Sequence, residues 1–377
     1  MDAIGQRLFE SNFGKTNIAT FEVIRPLIKE AAKQVQGHKF SERFLLTEWE
    51  QVVDAWQLDS WEAYRDVKRL GRKTRLSETQ RQQLWTIFEQ VRSALASRQL
   101  LTYAAIFTRL ADNLKKQKHF PFEYAVIDEA QDISVAQLRF LSALGGNRTD
   151  ALFLAGDVGQ RIFQQAFSWK SLGVDIRGRS RTLQINYRTS HQIRSQVDQL
   201  LGSEVSDVDG NVEDRTGTIS VFNGPKPSVI KLDTPEREIE TVSAWLNNLA
   251  DEGLKPHEIG VFVRSDAELD RATGAVSMAS MKFKVLDEHV DTQNGFVSIC
   301  TMHLAKGLEF RAVVVMACDD EVIPSQQRIE SVADEADLEE VYETERHLLY
   351  VACTRARDHL LVTSGNNASA FLEDLII

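Results

Sequence analysis

From about residue 120 onward the chain repeats one pattern, a short apolar run that stops abruptly at polar residues. The runs are Tyr124-Ala125-Val126-Ile127, Ala151-Leu152-Phe153-Leu154-Ala155, Thr182-Leu183-Gln184-Ile185, Ile259-Gly260-Val261-Phe262-Val263, Val297-Ser298-Ile299-Cys300 and Ala312-Val313-Val314-Val315-Met316. Runs without polar alternation predict strands buried on both faces, and such strands belong to largely parallel sheets. Helical spacing lies between several of them, at His191 to Leu201 and Glu238 to Ala250. The expected class is therefore α/β. In open parallel sheets chemistry collects beyond the carboxyl ends of the strands, which is where the polar residues stand here.

Before residue 120 the spacing is helical. Phe21, Ile24, Leu27, Ile28 and Ala31 share one face, as do Leu84, Ile87, Phe88 and Val91. Trp49, Trp56, Trp61 and Trp85 fall in this region and are expected to anchor its core. Residues 203–218 are polar and turn-rich, and predict a loop. Residues 330–345 are strongly acidic, and predict a solvated loop or helix face.

Composition narrows the function classes. The 377 residues are 43% hydrophobic and 26% charged, a globular balance. The net charge of −11 argues against an indiscriminate nucleic-acid coat, but leaves room for a local basic groove. No apolar run approaches the roughly 18 residues of a membrane span, so no membrane partner is expected. Met1 to Glu10 lacks the apolar stretch of a secretory signal. Cys300, Cys318 and Cys353 are too few and scattered for a disulfide framework or a zinc site. A reducing, cytoplasmic setting fits.

Five segments carry candidate chemistry. Ala125 to Asp132, AVIDEAQD, delivers adjacent carboxylates, Asp128 and Glu129, to a strand end. In nucleotide hydrolases such a pair holds Mg²⁺ and orients water, while an acidic helix start is the plainer reading. Leu154 to Phe163, LAGDVGQRIF, ends a strand in a glycine-lined turn bearing Gln160. Leu183 to Ser190, LQINYRTS, presents Arg188, a cation suited to phosphate. Val297 to Phe310 contains TMHLAKGLEF, and Glu345 to Arg357 contains ERHLLYVACTRA. A further basic stretch, from Arg65 through Lys68, Arg69, Arg72, Lys73 and Arg75, reads either as phosphate contact or as a solvated helix face.

In this order and at these separations, the five segments resemble motifs II to VI of the UvrD/Rep/PcrA-like helicases of superfamily 1, and IGVFVRS resembles the family's short segment between IV and V. The resemblance covers about residues 120–365. The helical region, with FLLTEWEQVV, resembles the insertion that precedes motif II. It implies RecA-like parallel sheets, with a helical subdomain over 1–118, a partial first RecA-like domain over 119–187 and a second over 188–377. It implies ATP and Mg²⁺ as cofactors and single-stranded DNA, or a single-strand/duplex junction, as partner, with 3′ to 5′ polarity. Asp128 would ligate Mg²⁺ and Glu129 would be the catalytic base. Gln160, Arg188 and Arg355 would address the γ-phosphate. Gly307 and Glu309 would lie at the nucleotide, Glu309 on its ribose. Thr301 and His303 would lie near the DNA backbone, with Arg72 and Lys73 as further phosphate contacts. Phe163, Phe167 and Trp169 follow motif III, where the family stacks bases; for them stacking and core packing both stand.

One expected element is missing. A phosphate-binding loop reads G-x-x-x-x-G-K-[ST] after a strand. The single Gly-Lys-Thr is Gly14-Lys15-Thr16, with Phe9 where the first glycine belongs and a helical pattern before it. The expectation is a chain lacking the start of the first RecA-like domain, with sheet edges uncovered and weak or no ATP hydrolysis on its own. A non-catalytic DNA- or protein-binding relative and a split enzyme, with the phosphate loop on a second polypeptide, are the alternatives.

Overall fold

The computed structural model describes residues 1–67, 76–117, 119–146, 148–157, 167–201, 204–206, 212–214, 218–330 and 335–376. Arg72, Lys73, Gln160 and Phe163 lie outside them. The chain divides into two compact units, Met1–Ser180 and Arg181–Ser206 with Val212–Ile377.

In the first unit the elements run α1 (Asp2–Phe13), β1 (Asn17–Ile18), α2 (Phe21–Gln34), α3 (Glu42–Glu48), α4 (Trp61–Asp66), α5 (Glu78–Ser97), β2 (Leu100–Leu101), α6 (Tyr103–Leu114), β3 (Ala125–Ile127), α7 (Val135–Gly145) and β4 (Leu152–Leu154). Two cores form. One gathers Ile28 of α2, Leu45 of α3, Trp49, Tyr64 of α4, and Leu84, Trp85, Phe88 and Val91 of α5. Trp49 and Trp85 are buried within it, while Trp56 and Trp61 pack at its margin. The other gathers Phe9 of α1, Phe107 and Leu110 of α6, Ile127 of β3, and Leu138, Phe140 and Leu141 of α7. The helical residues 1–118 thus serve two cores, because α1 and α6 turn their apolar faces onto the layer of β3 and α7. Gly5 permits the close approach of α1 to α6, since a Cβ there would meet the Phe107 ring at 2.6 Å.

β3 and β4 pair in parallel, Val126 opposite Phe153. One face, with Ala125, Ile127, Leu152 and Leu154, packs on the core. The other presents Tyr124, Val126 and Phe153 with 64–76% of their surface exposed. Parallel strands are ordinarily covered on both sides; among the described residues this face is left exposed.

The second unit comprises β5 (Ile185–Asn186), α8 (His191–Val197), β6 (Glu204–Ser206), β7 (Val212–Asp214), β8 (Ile219–Ser220), β9 (Ser228–Lys231), α9 (Pro235–Asp251), β10 (Ile259–Val263), α10 (Leu269–Met278), β11 (Phe283–Val285), β12 (Val297–Thr301), β13 (Phe310–Val315), α11 (Gln326–Glu330), α12 (Glu335–Cys353) and β14 (Ala356–Ser364). Its sheet runs β11-β12-β10-β13-β14-β9 with every pairing parallel. α9 and α10 cover one face through Val242, Leu246, Ala272 and Val276, packed on Val261, Ile299, Val314 and Leu361. The alternate residues Phe262, Cys300, Val313 and Val315 face the other way, and α8 and α12 contact the sheet at β13 and β14. This is the α/β, RecA-like arrangement expected. β5 and β8 pair separately, Ile185 opposite Ile219.

Two expectations are corrected here. Residues 203–218 are not loop throughout, since β6 and β7 form an antiparallel hairpin with Val205 opposite Glu213; local pairing satisfies the backbone that the polar composition suggested would face water. The acidic run 330–345 is not wholly solvated, since Glu345 at its end is 1% exposed.

Asp54 ties the two cores of the first unit together. Its Oδ1 accepts hydrogen bonds from Gln57 Nε2 and from Thr102 Oγ1, both at 2.6 Å, and Thr102 also caps α6. Enclosure of the carboxyl pushes its pKa up to about 6, against the opposing hydrogen bonds. The folded state therefore holds this proton more tightly than the unfolded chain. The linked stability is fully present below the ordinary value of 3.8 and is lost as pH rises through about 6. Asp54→Asn, which keeps the acceptor without the charge, is expected to raise the unfolding free energy at pH 7 by roughly 1–3 kcal/mol and to flatten this part of the pH profile in urea titrations.

Candidate functional site

In the first unit, the candidate site is a strand end braced by its neighbour. β3 stops at Ile127, and Asp128 and Glu129 emerge exposed. Asp128 Oδ1 accepts the Glu129 backbone N–H at 2.9 Å. This turn puts Glu129 at φ 54, ψ 44, in the left-handed region, at a cost of about 1–2 kcal/mol for a residue with a Cβ. Gln131, 5% exposed, donates through Nε2 to Glu129 Oε2 and accepts through Oε1 from the Asp157 N–H at 3.0 Å. The Ala130 N–H reaches Ala155 O at 2.8 Å. Gly156 is needed for this closeness, because a Cβ there would stand 2.5 Å from Gln131 Oε1. The ends of β3 and β4 are thus cross-braced through one amide side chain. Sequence reasoning assigned Gln131 no role; its place two residues after Glu129 was visible, but its bridge to β4 was not.

The donor set suits a hydrated divalent cation. Asp128 gives one oxygen to the backbone and has no further hydrogen-bond partner among the described residues, and hard oxygen ligands are what Mg²⁺ takes. Gly14-Lys15-Thr16 does not have the setting of a phosphate loop, which follows a strand. Gly14 ends α1 at φ 89, with its N–H bonded to Glu10 O, so the tripeptide follows a helix and not a strand.

Of the aromatics after motif III, Phe167 is buried in the core with α7, and Trp169 packs at that core's edge. Burial has claimed both, in part or in full.

In the second unit, three segments far apart in sequence converge. Arg188 follows β5. Asn186 Oδ1 accepts the backbone N–H groups of Arg188 at 2.8 Å and Thr189 at 3.2 Å, an Asx turn that fixes where the arginine departs. Arg188 Nη2 donates to Leu308 O at 2.9 Å. Arg188 Nε lies 2.9 Å from Glu309 Oε1, but its N–H is not aimed at a hydrogen-bonding angle. The contact is ionic, and with the side chains 36% and 65% exposed such a pair contributes about 0.2–1 kcal/mol. Gly307, at φ 80, turns the chain ahead of these two residues. The Phe310 N–H then meets Arg355 O at 3.0 Å, and the Ser190 N–H meets Arg357 O at 3.0 Å. Arg188, Gly307, Glu309 and the backbone of Arg355 are brought together. The Arg355 side chain is turned inward, 2% exposed, with Nε on Val351 O at 2.9 Å in the last turn of α12.

Thr301 ends β12, and His303 lies on the turn after it. Beside them is a charged hub. Arg264, just past β10, is held bidentately by Glu345, Nε to Oε2 and Nη2 to Oε1, both at 2.6 Å. Arg328 Nη1 adds a bond to Oε1 at 2.8 Å. Burial alone would raise the Glu345 carboxyl, but the two guanidiniums overcome it and hold the pKa below its ordinary value. His303 feels the same cations. Although the residue keeps substantial exposed surface, withdrawal of its ring from water, followed by the field of Arg264, lowers its pKa to about 4. It is neutral at pH 7 and offers a donor and an acceptor rather than a charge. Sequence reasoning missed this hub, because Arg264 and Glu345 are 81 positions apart and Glu345 sits in an acidic run.

Glu345→Gln removes the carboxylate charge that the buried Arg264 and the half-buried Arg328 share. The expected loss is about 3–5 kcal/mol of unfolding free energy, read from the urea midpoint. A loss below about 1 kcal/mol would mean that water already screens the hub.

Comparison with known proteins finds one family domain in each unit. A model of the UvrD/REP helicase N-terminal domain matches residues 6–169, and a model of the UvrD-like helicase C-terminal domain matches residues 276–367. The ATP-dependent DNA helicase PcrA of Staphylococcus epidermidis is 40% identical over 84 residues, 22% of this chain and 11% of that protein. DNA helicase II of Rickettsia typhi is 30% identical over 151 residues, 37% of this chain and 22% of that protein. The matched stretches therefore span between 11% and 22% of the length of these relatives. A crystal structure of the C-terminal domain of a possible DNA helicase from Lactobacillus plantarum WCFS1 aligns with 51% of this chain and 94% of its own, at 22% identity and a TM-score of 0.35.

Proposed function

We propose that this chain, which belongs to the UvrD/PcrA-like helicase family, carries the hydrolytic and DNA-coupling parts of an ATP-dependent 3′ to 5′ helicase or translocase acting on single-stranded DNA. The observation that carries this reading is the convergence of Arg188, the Gly307–Glu309 turn and Arg355 in the second unit. It brings a phosphate-suited cation, an exposed carboxylate and an arginine-bearing helix end to one place. The braced pair Asp128 and Glu129 in the first unit supports the same chemistry.

Bound Mg²⁺ would neutralise charge on the phosphates of ATP, and Asp128 would hold it. Glu129, kept in position by Gln131, would take the proton of the attacking water. Arg188 would stabilise charge developing on the γ-phosphate. Arg355 would join it only after leaving the α12 carbonyl it now caps. Gln160 keeps the role of linking phosphate to DNA. Thr301 and neutral His303 would hydrogen-bond the DNA backbone, with Trp169 offering the exposed part of its ring to a base.

We further propose that the isolated chain hydrolyses ATP weakly or not at all. The support is Gly14, which ends a helix where a phosphate loop would follow a strand. The same observation favours the second reading, a non-catalytic relative that binds DNA or protein.

Steady-state ATP turnover by the purified chain, with and without single-stranded DNA and beside Glu129→Gln, tests these readings. The expected result is little or no turnover, with salt-sensitive binding of single-stranded DNA. DNA-stimulated turnover that Glu129→Gln abolishes would overturn the claim that the isolated chain is disabled. Absence of DNA binding in a folded chain would sink the DNA-coupling assignment.

A further inference from the structure

We infer that Glu309 controls the nucleotide site through Arg188, as a carboxylate that an incoming phosphate must displace. The inference rests on the reading of Arg188 as a phosphate-facing cation. Within one turn, Leu308 O accepts a hydrogen bond from Arg188 Nη2 at 2.9 Å, and Glu309 Oε1 stands 2.9 Å from Nε. One edge of the guanidinium fork, its Nε and Nη2 side, is engaged by adjacent residues. A phosphate bound bidentately needs two parallel N–H groups of that fork, and an anion entering beside Glu309 also meets its charge. Phosphate and Glu309 therefore compete for the same cation.

The geometry sets the strength of the competition. The Arg188 backbone is fixed by Asn186, so the guanidinium does not have to be found by the ligand. The contact to Glu309 lacks a directed hydrogen bond and is largely exposed on the carboxylate side. Such a pair holds Arg188 extended toward the Gly307 turn and gives way to a more highly charged anion. Glu309 is a positioning residue in this sense. It keeps Arg188 placed while the site is empty and raises the threshold for releasing it.

The test is a double-mutant cycle on inorganic tripolyphosphate binding, followed by phosphorus NMR line broadening, with the wild type, Glu309→Gln, Arg188→Gln and the double variant. Thermal unfolding of each checks the fold. Glu309→Gln is expected to tighten binding by roughly 1.4- to fivefold, the range that exposed ion pairs span. Arg188→Gln is expected to weaken binding. In the Arg188→Gln background the Glu309 substitution should have little effect, because there is no guanidinium to release. Equal tightening in both backgrounds would reduce Glu309 to a nearby negative charge and overturn the inference while leaving Arg188 as a phosphate contact. No tightening overturns it as well. If Arg188→Gln leaves binding unchanged, the phosphate role of Arg188 fails and the competition fails with it.

Discussion

Parallel pairing of buried strands is the constraint on which the second unit depends. When every strand of the sheet runs the same way, all carboxyl ends lie along one edge, and whatever follows each strand is delivered there. Arg264 and Asp266 after β10, Thr301 and His303 after β12 share that edge through the register of β10 with β12. The opposite edge gathers the Gly307–Glu309 turn before β13, the Arg355 backbone before β14, and the Arg188–Ser190 segment, so this group stands at the amino ends of β13 and β14 and not at the carboxyl ends expected from the sequence. Backbone hydrogen bonds between Ser190 and Arg357 and between Phe310 and Arg355 therefore place the candidate site. Side chains then refine it.

The refinement relies on charges withdrawn from water. Glu345 is enclosed with Arg264 and Arg328, and Glu238 is enclosed with Arg271, Thr363 and the Ala317 N–H. Buried ion pairs gain little net stability over apolar packing, but breaking one is costly. They act here as joints with a single accepted geometry. The Glu345 joint fastens α12 to the end of β10, and the field of its arginines keeps His303 uncharged. Glu238 fastens α9 to the ends of β13 and β14. A helix shift in this unit would have to break such a joint or carry its partners along.

The first unit is built differently. Its catalytic candidates depend on one amide, Gln131, spanning the ends of two short strands, and on a strained backbone at Glu129. A residue kept in the left-handed region against its preference is a form of stored strain often found at functional positions. The exposed face with Tyr124, Val126 and Phe153 means that, among the described residues, this strained turn stands on a layer packed from one side only.

The sequence by itself determined the class of the fold, because unbroken apolar runs such as Ile259–Val263 have nowhere to go but a sheet covered on both faces. It also determined which residue types stand at the strand ends, since Asp128, Arg188, Glu309 and Arg355 are read directly from local segments. Tertiary structure alone decided how they are held. The bridge from Gln131 to Asp157, the grip of Glu309 on Arg188, the inward turn of Arg355 and the burial of Glu345 all join positions that local periodicity treats as independent. Hydrophobic patterning reports which face of an element is buried, whereas the partner of a given polar group depends on register and distance, which exist only once the chain has folded.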